Sequence, residues 1–413
     1  MTTTGAAATG PAATGPAATG TAATGTAATG TAATGTATTG TGPGQGRGPL
    51  RGLRVLELGG IGPVPFAGML LSDLGADVVQ IARPGAAVTA AQARFNVMNR
   101  GRRSVALDLS AAAGRDHALD LIAACNAVLE GFRPGVAERL GVGPDAASGR
   151  NPAVVYGRMT GWGQDGPLAP RAGHDINYIA RSGLLHAVGR AGQPPTVPIN
   201  IGGDFGGGGA LLALGVIAAC WEAARSGLGQ VVDAAMTEGS ALLITMVYGL
   251  LAAGQWTDEA GVNLIDSGRP YYDVYPTADG RYMSVGALED KFYAELLSQL
   301  GLAGLPGRDD AANWPAIRAA LGRRFAEKTQ AEWEQVFDGA DACVAPVRSL
   351  AEAPADPQLR ARGAFAEIGG VLQPLPSPRF SRTPAAVPAP PPQPGAHTDE
   401  VLRSWLTAAE VFS

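Results

Sequence analysis

The sequence predicts an α/β protein with a large domain built on a doubly wound parallel sheet and a smaller α+β domain. Three observations predict this fold class. Strand-like and helix-like segments alternate from residue 49, the pattern typical of a parallel sheet with crossover helices. Around Asp279–Gly280 two strand-like runs flank a turn, which favours an antiparallel hairpin. The length of 413 residues also exceeds what one hydrophobic core ordinarily holds.

The first 48 residues form a separate low-complexity segment. Short units such as TGPAA and TGTAA repeat every five residues, and after Met1 no large apolar side chain precedes Leu50. Such a segment cannot bury enough apolar surface to offset its chain entropy. We therefore predict a disordered tail over residues 1–48, and the glycine period of five excludes a collagen helix.

The elements of the large domain follow from apolar periodicity and turn residues. LRVLELGG predicts a buried first strand, and PFAGMLLSDLG predicts a helix that ends at Gly75. ADVVQIARP predicts a second strand, which Pro84 ends. The strand and helix alternation continues through SVALDL, AAGRDHALDLIAAC, NAVLEGF, PAVVYGRMTG and GQVVDAAM, and a helix then extends to about residue 253.

The later part of the chain predicts the smaller domain and a return to the larger one. YYDVYPTADGRYMSVGAL predicts a hairpin, and helical stretches follow to about residue 340. The proline-rich run LQPLPSPRFSRTPAAVPAPPPQPG predicts an extended surface connector, and Thr398 is predicted to cap a last helix. We therefore assign residues 49–255 and 350–413 to the large domain and 256–349 to the small α+β domain.

Composition excludes several classes of function. The formal net charge of −5 and the absence of a basic stripe predict no binding of nucleic acid. Three widely separated cysteines indicate reduced thiols in a cytoplasmic protein. The apolar runs near 210–220 and 241–253 are predicted to be too short to span a bilayer, and no signal peptide is expected.

Three arginines follow predicted strands, where ligands bind in open α/β sheets. GGIGPVP lacks the third glycine of a dinucleotide fingerprint, and the second strand ends in Arg83 instead of an acidic residue. NAD binding is therefore not expected. Arg83, Arg133 and Arg139 at these positions favour a phosphorylated ligand, and the alternative is that they are solvated surface side chains.

His174 and Asp204 are the candidate chemical groups of the large domain. Asp204 precedes a glycine run that leads into an apolar helix, GDFGGGGALLALG. The carboxylate either caps that helix or handles a proton, while the glycines let a ligand approach and free amides hold an oxyanion. His174, in AGHDINY, is either a core histidine bonded to a backbone carbonyl or a partner for Asp204.

Several long stretches carry a family resemblance. They are LRGLRVLELGGIGPVPFAGMLLSDLGADVVQIARP, VLEGFRPGVAERLG, GRMTGWGQDGPLAPRAGHDINYIARSGLLHAVG, NIGGDFGGGGALLALG and YYDVYPTADGRYMSVGALE. On these stretches the chain from about Leu50 to Leu402 resembles the family III coenzyme A (CoA) transferases, the CaiB/BaiF superfamily, and in particular their α-methylacyl-CoA racemase branch. The resemblance implies a Rossmann-like large domain and an interlocked homodimer. Each active site would lie between the large domain of one subunit and the small domain of the other.

The resemblance also implies a reaction and its residues. The (2R) and (2S) epimers of 2-methylacyl-CoA would interconvert through an enolate, with His174 and Asp204 as bases on opposite faces of C2 and Glu289 orienting the His174 ring. CoA would bind as part of the substrate, with no separate cofactor and no metal ion. The implied CoA-binding residues are Arg83, Leu107, Asp108, Leu109, Ser110, Gly131, Phe132, Arg133, Arg139, Gly173, Asp175, Ile176, Asn177 and Tyr178.

Two positions depart from the family pattern, and two alternatives stay open. Gln80 and Ser110 stand where relatives often carry basic residues, which predicts weaker phosphate contacts. One alternative function is a CoA-transferase in which Asp204 is the nucleophile, and the other is a catalytically silent acyl-CoA-binding relative. A branched-chain fatty acyl group of lipid metabolism and a sterol side chain are equally open as substrates.

Overall fold

A six-stranded parallel sheet forms the centre of the protein. The computed structural model describes residues 47–85 and 88–406, so the tail predicted for residues 1–48 lies outside the described residues except for Arg47 and Gly48. The strand order β3-β2-β1-β4-β5-β6 is that of the Rossmann fold, which confirms the predicted parallel sheet. The strands are β1 (Arg54–Gly59), β2 (Asp77–Ala82), β3 (Arg103–Ala106), β4 (Ala127–Glu130), β5 (Val155–Thr160) and β6 (Val231–Ala235).

Helices connect these strands and follow the last one. They are α1 (Pro63–Asp73), α2 (Ala90–Ala93), α3 (Ala112–Ala123), α4 (Val136–Arg139), α5 (Pro144–Arg150), α6 (Asp175–Arg181), α7 (Leu184–Ala187), a π-helix (Ile201–Ala210), α8 (Leu211–Ser226), α9 (Met236–Leu243) and α10 (Thr245–Ala252). A short 3₁₀ helix covers Val97–Asn99. The helix predicted to extend from β6 to residue 253 is two helices, because Ile244 leaves helical geometry at φ −103° and ψ 22°.

The core covers both faces of the sheet because successive strand residues point to opposite sides. Val55 of β1 belongs to one apolar cluster, with Leu212 and Val216 of α8. Leu56 belongs to the other cluster, with Leu121 of α3 and Trp405 near the carboxyl end of the chain. The buried sheet holds the loops at its carboxyl edge in fixed positions.

A second, antiparallel sheet lies in the later part of the chain. It contains β7 (Tyr272–Pro276), β8 (Tyr282–Gly286) and β9 (Val344–Pro346). The predicted hairpin is confirmed, since β7 pairs antiparallel with β8 and Gly280 in the turn has φ +72°. A separate apolar cluster covers this sheet with α11 (Asp290–Leu300), α12 (Trp314–Phe325) and α13 (Gln330–Val336). The domain limits at 255, 256, 349 and 350 stay predictions.

The last segment returns to the large sheet. It contains α14 (Pro357–Ala361), β10 (Phe365–Ile368), β11 (Val371–Pro374) and α15 (Thr398–Leu406). The proline-rich connector begins in β11, which pairs antiparallel with β10, so its first residues are part of a hairpin. Thr398 is the first residue of α15 and not the residue before it, where the predicted cap would lie. Its hydroxyl accepts the amide hydrogen of Ala106 at 3.0 Å and so attaches α15 to β3.

The π-helix and α8 form one continuous helical run, Ile201–Ser226. The run has 26 residues and contains an 18-residue stretch with a mean hydropathy of 1.5, which by length and composition alone is enough to cross a bilayer. The expectation that the apolar run near 210–220 is too short is therefore wrong. Leu212, Val216 and Ala219 of this run are buried in the core beside the sheet, whereas Leu214 and Trp221 are exposed, so packing within the chain accounts for one side of the run.

The glycines of the π-helix allow close contact with neighbouring backbone. A Cβ atom on Gly207 would lie 2.5 Å from the Ser240 nitrogen, and one on Gly239 would lie 1.8 Å from the Gly207 oxygen. A Cβ on Gly209 would lie 2.5 Å from the Pro63 oxygen. The interpretation that the glycine run clears space for a ligand is wrong at Gly207 and Gly209, because protein backbone occupies that space.

We expect Gly239→Ala to destabilise the protein. The new methyl group would overlap the Gly207 carbonyl, and overpacking of this kind costs about 1–3 kcal/mol of unfolding free energy. Gly249→Ala in α10 is the matched control, because a Cβ there meets no atom within 4 Å and alanine favours a helix. Denaturant unfolding measures both, and equal stability of the two variants would contradict the packing account.

Candidate active site

A cavity of about 330 Å³ at the carboxyl edge of the parallel sheet contains both His174 and Asp204. We call it the His/Asp cavity. Residues from the turn after β1, the turn after β4, the end of β5, the loop before α6 and the helices around Asp204 line it. They are Ile61, Gly62, Pro63, Val64, Gly131, Phe132, Arg133, Pro134, Met159, Thr160, Gly161, Trp162, Ala169, Arg171, Ala172, Gly173, His174, Tyr178, Asp204 and Met236. The two residues singled out in the sequence are therefore brought together.

His174 is the N-cap residue of α6, immediately before Asp175. Its backbone is extended, with φ −130° and ψ 172°, and its amide donates to the Asn177 side-chain oxygen at 3.0 Å. Its carbonyl accepts the Asn177 amide at 2.8 Å. The His174 side chain is exposed in the single chain, so the alternative of a buried core histidine is wrong.

Asp204 lies inside the π-helix, as its fourth residue, and therefore does not cap the following helix. Its Oδ2 atom accepts a hydrogen bond from the Asn200 side-chain amide at 3.1 Å. Burial raises the pKa of Asp204 above the ordinary 3.8, the Asn200 hydrogen bond lowers it, the charge of Asp175 raises it and His174 lowers it. A carboxyl group with a raised pKa is better matched to proton transfer near neutral pH.

The amides at the start of the π-helix are engaged within the protein. Those of Gly203 and Asp204 both donate to the Oδ1 atom of Asp175, at 2.8 Å and 2.7 Å. The expectation that free amides beside Asp204 hold an oxyanion is therefore wrong for these two groups. Asp175 itself is buried and lies outside the His/Asp cavity lining.

Tyr178 forms a wall of the His/Asp cavity. Its hydroxyl donates to the Gly173 carbonyl at 2.5 Å, and its ring meets Trp162 edge-on with centroids 4.8 Å apart. A Cβ on Gly161 would lie 2.0 Å from the Tyr178 ring, so only glycine fits there. Burial raises the pKa of Tyr178, which keeps the hydroxyl protonated as a donor to the turn before His174.

A second cavity of about 840 Å³ adjoins the first at the ends of β1 to β4. The two cavities share Ile61, Gly131 and Phe132 in their linings. We call the second one the strand-end cavity. Its lining is Leu58, Gly59, Gly60, Ile61, Ile81, Ala82, Arg83, Pro84, Leu107, Asp108, Leu109, Ser110, Gly131, Phe132 and Leu140. Arg83, the stretch 107–110 and the turn 131–132 are therefore gathered around one space.

A buried ion pair supports the turn that joins the cavities. The Glu130 carboxylate accepts the Phe132 amide at 2.6 Å and the Arg158 guanidinium at 2.8 Å. Arg158 also pairs with Glu138 of α4 at 2.8 Å. These contacts fix the end of β4, and with it the position of Phe132.

Some residues implied by the resemblance lie elsewhere in the single chain. Arg139, Asp175, Ile176 and Asn177 line neither cavity, and Arg133 lines only the His/Asp cavity. Glu289 is exposed at the N-cap position of α11, immediately before Asp290, and it also lines neither cavity. The single chain therefore brings together two of the three implied catalytic residues.

The two departures from the family pattern have different outcomes. The Gln80 side chain donates to Glu57 at 3.0 Å and accepts from Asn99 at 3.2 Å, so it belongs to an internal network and does not line the strand-end cavity. Gln80 therefore does not lie at the strand-end cavity, where it would have to be for the expected weakening of phosphate contacts. Ser110 does line that cavity, and its hydroxyl donates to Asp108 at 2.6 Å.

Sequence analysis missed Asn200, which hydrogen-bonds Asp204. The signal was available, since the two residues are four apart in NIGGD and helical spacing brings such side chains together. Among residues 47–85 and 88–406 no group of three or more His, Cys, Asp or Glu side chains is arranged to hold a metal ion.

Comparison with known proteins identifies relatives over most of the chain. The family model described as CoA-transferase family III matches residues 50–398. The α-methylacyl-CoA racemase of Mus musculus is 45% identical over 360 residues, covering 86% of this chain and 93% of that protein. The enzyme of the same name from Homo sapiens is 41% identical over 363 residues, with the same coverage. A crystal structure of a CAIB/BAIF family protein from Brucella suis superposes with a TM-score of 0.76 at 25% identity, covering 87% of this chain and all of that one.

Proposed function

The chain belongs to the family III CoA-transferases, and on that basis we propose that it is an α-methylacyl-CoA racemase, an isomerase that interconverts the 2R and 2S epimers of 2-methylacyl-CoA thioesters. One observation carries the proposal beyond family membership. His174 and Asp204 line the same cavity, so an imidazole and a carboxylate are available to one substrate carbon. Inversion at a carbon next to a thioester carbonyl requires a base on one face and an acid on the other.

In the proposed reaction, one of the two groups removes the C2 proton and the other returns a proton to the opposite face. The neutral imidazole or the ionised carboxylate acts as base in one direction and, once protonated, as acid in the reverse. The intermediate enolate oxygen needs donors. The Gly203 and Asp204 amides donate to Asp175, so they are not assigned to the enolate oxygen. We assign that role to the amides of Asp175 and Ile176 in the first turn of α6. These two amides come before Asn177, whose amide is the first to donate to the His174 carbonyl.

The CoA portion of the substrate is assigned to the strand-end cavity. That cavity is larger than the His/Asp cavity and has the exposed Arg83 at its rim, where a guanidinium suits phosphate groups. The shared residues Ile61, Gly131 and Phe132 give the pantetheine arm a continuous route between the cavities. Binding energy from the remote nucleotide then positions C2 between the two reacting groups.

The active protein is proposed to be a homodimer with shared sites. Glu289 lies outside both cavities of its own chain, so it is assigned to the site of the partner subunit, where it would orient His174. The helices after the π-helix expose large apolar side chains, and exposed apolar surface of this kind is typical of subunit interfaces. These side chains are Leu214 and Trp221 of α8, Leu242 and Leu243 of α9, and Met246 and Leu251 of α10.

The alternative function is transfer of CoA between acids, with Asp204 attacking the thioester carbonyl. The presence of His174 in the Asp204 cavity favours the racemase, because a nucleophile needs no base across the substrate carbon. Incubation of pure (2R)-2-methylacyl-CoA without any free carboxylic acid tests the proposal. We expect chiral analysis to show conversion to the 2S epimer. Activity that appears only when an acceptor acid is added would establish the transferase instead.

A further inference from the structure

Asp175 connects the two elements that carry His174 and Asp204. It follows His174 in the chain as the first residue of α6, and it is only 8% exposed. Its Oδ1 atom accepts the Gly203 and Asp204 amides, at 2.8 Å and 2.7 Å. The backbone of Asp204 is therefore bonded to the side chain of the residue next to His174.

Two unfavourable features accompany the hydrogen bonds between Asp175 and the two amides, and they indicate that these bonds have a functional role. A Cβ on Gly203 would lie 2.5 Å from Asp175 Oδ1, so glycine is needed there for the carboxylate to reach the amides. The second oxygen, Oδ2, is buried without a hydrogen-bond partner among the described residues. Leaving a buried carboxylate oxygen unpaired is unfavourable, and buried polar groups without partners are rare.

We infer that Asp175 is a positioning residue, which holds the Asp204 carboxylate at a fixed place relative to His174. The inference rests on the proposed racemase function and differs from the CoA-binding role that the family resemblance implies. A bond to two successive amides fixes the first turn of the π-helix in both translation and rotation. The Asp204 side chain leaves the backbone within that turn, and Asn200 holds its far end at 3.1 Å.

The charge of Asp175 has a second effect on the same residue. The groups that face Asp204 are Asp175 and Tyr178 of α6, His174 immediately before α6, and Asn200 immediately before the π-helix. Burial is the largest cause of the raised pKa of Asp204. The Asp175 charge also raises this pKa, and His174 lowers it. Removing the Asp175 charge should therefore move the ionisation of Asp204 to lower pH and make Asp204 a weaker base.

Two variants of Asp175 distinguish its effect on the position of Asp204 from the effect of its charge. Asp175→Asn keeps one oxygen that can accept both amides and removes the charge, whereas Asp175→Ala removes both. The measurement is exchange of the C2 proton in heavy water, followed separately for each pure epimer, with KM determined in parallel. The epimer that depends on Asp204 is the one that a His174→Ala enzyme still exchanges. Asp165→Asn, an exposed aspartate in a neighbouring loop, is the matched control.

We expect Asp175→Asn to slow exchange of the Asp204-dependent epimer about tenfold, and to move its acid limb to lower pH. Exchange of the other epimer and KM should stay within about twofold. Asp175→Ala should lose about 10² in the Asp204-dependent exchange, the size of effect seen when a reacting group is misplaced by about 1 Å. Asp165→Asn should match the wild type.

Three results would overturn the inference. Equal losses for both epimers would show a general structural role, and a raised KM with normal exchange would show a thioester-binding role. Unchanged exchange in Asp175→Asn, with its pH profile also unchanged, would show no role at all. If Asp175→Ala does not fold, the exchange rates and pH profile of Asp175→Asn alone test the inference. A wild-type enzyme that introduces deuterium at C2 of neither the product nor the recovered substrate, from either epimer, would instead refute the proposed function.

Discussion

His174→Ala and Asp204→Asn are each expected to abolish net racemisation. Every turnover needs one group as base and the other as acid, so neither group can replace its partner. Loss of one proton-transfer group should lower the rate by about 10² to 10⁴. Chiral analysis of the product from each pure epimer measures the loss. Circular dichroism serves as the control for folding, and near-normal racemisation by His174→Ala would contradict the two-base reaction.

The two variants should differ in the proton exchange that remains. Each retains one base, which can still remove the C2 proton on its own face and return a deuteron from solvent to the same face. His174→Ala should therefore exchange one epimer, and Asp204→Asn should exchange the other. If the same epimer were preferred by both variants, the assignment of His174 and Asp204 to opposite faces would be wrong.

Mixed dimers of His174→Ala and Glu289→Ala chains are expected to recover activity that both parent dimers lack. If each site takes His174 from one subunit and Glu289 from the other, one site of the mixed dimer carries both defects and the other carries neither. The purified heterodimer should then have about half of the wild-type activity. Differently tagged chains, co-expressed and purified through both tags, supply the sample.

The two homodimers are the controls for this experiment, and both must be folded and dimeric. An inactive heterodimer would show that Glu289 serves the site of its own chain. The exposed position of Glu289, outside both cavities of the single chain, is the reason to expect recovery.

Local sequence patterns predicted those parts of the fold whose signals are local. The hairpin around Asp279–Gly280 was predicted from its turn and alternating flanks, and β7 and β8 pair there as expected. The parallel strands were predicted from their apolar runs, with ends that differ by one or two residues from β1 and β2. The π-helix was not predicted, because an apolar, glycine-rich run has no feature that separates its hydrogen-bond spacing from that of an α-helix.

The candidate site was predicted in its composition and only partly in its geometry. His174 and Asp204 share a cavity, as the resemblance implied. The roles of their neighbours depend on contacts between residues far apart in sequence. Asp175 bonds amides 28 and 29 residues away, and Gly239 contacts the π-helix across a helix interface. Neither contact leaves a signal in the stretch that contains it, so the glycine run was misread as space for a ligand.

The position of deuterium at low conversion in heavy water tests the two-base reaction most directly. Each pure epimer of 2-methylacyl-CoA is incubated with the wild-type enzyme, and C2 is examined in both the product epimer and the recovered substrate. Because the group that protonates the product exchanges its hydrogen with solvent beforehand, the product should carry deuterium while the recovered substrate keeps protium, from either starting epimer. A product that keeps its original protium at C2 would show that one group carries the proton between faces, and the assignment of two bases would be wrong.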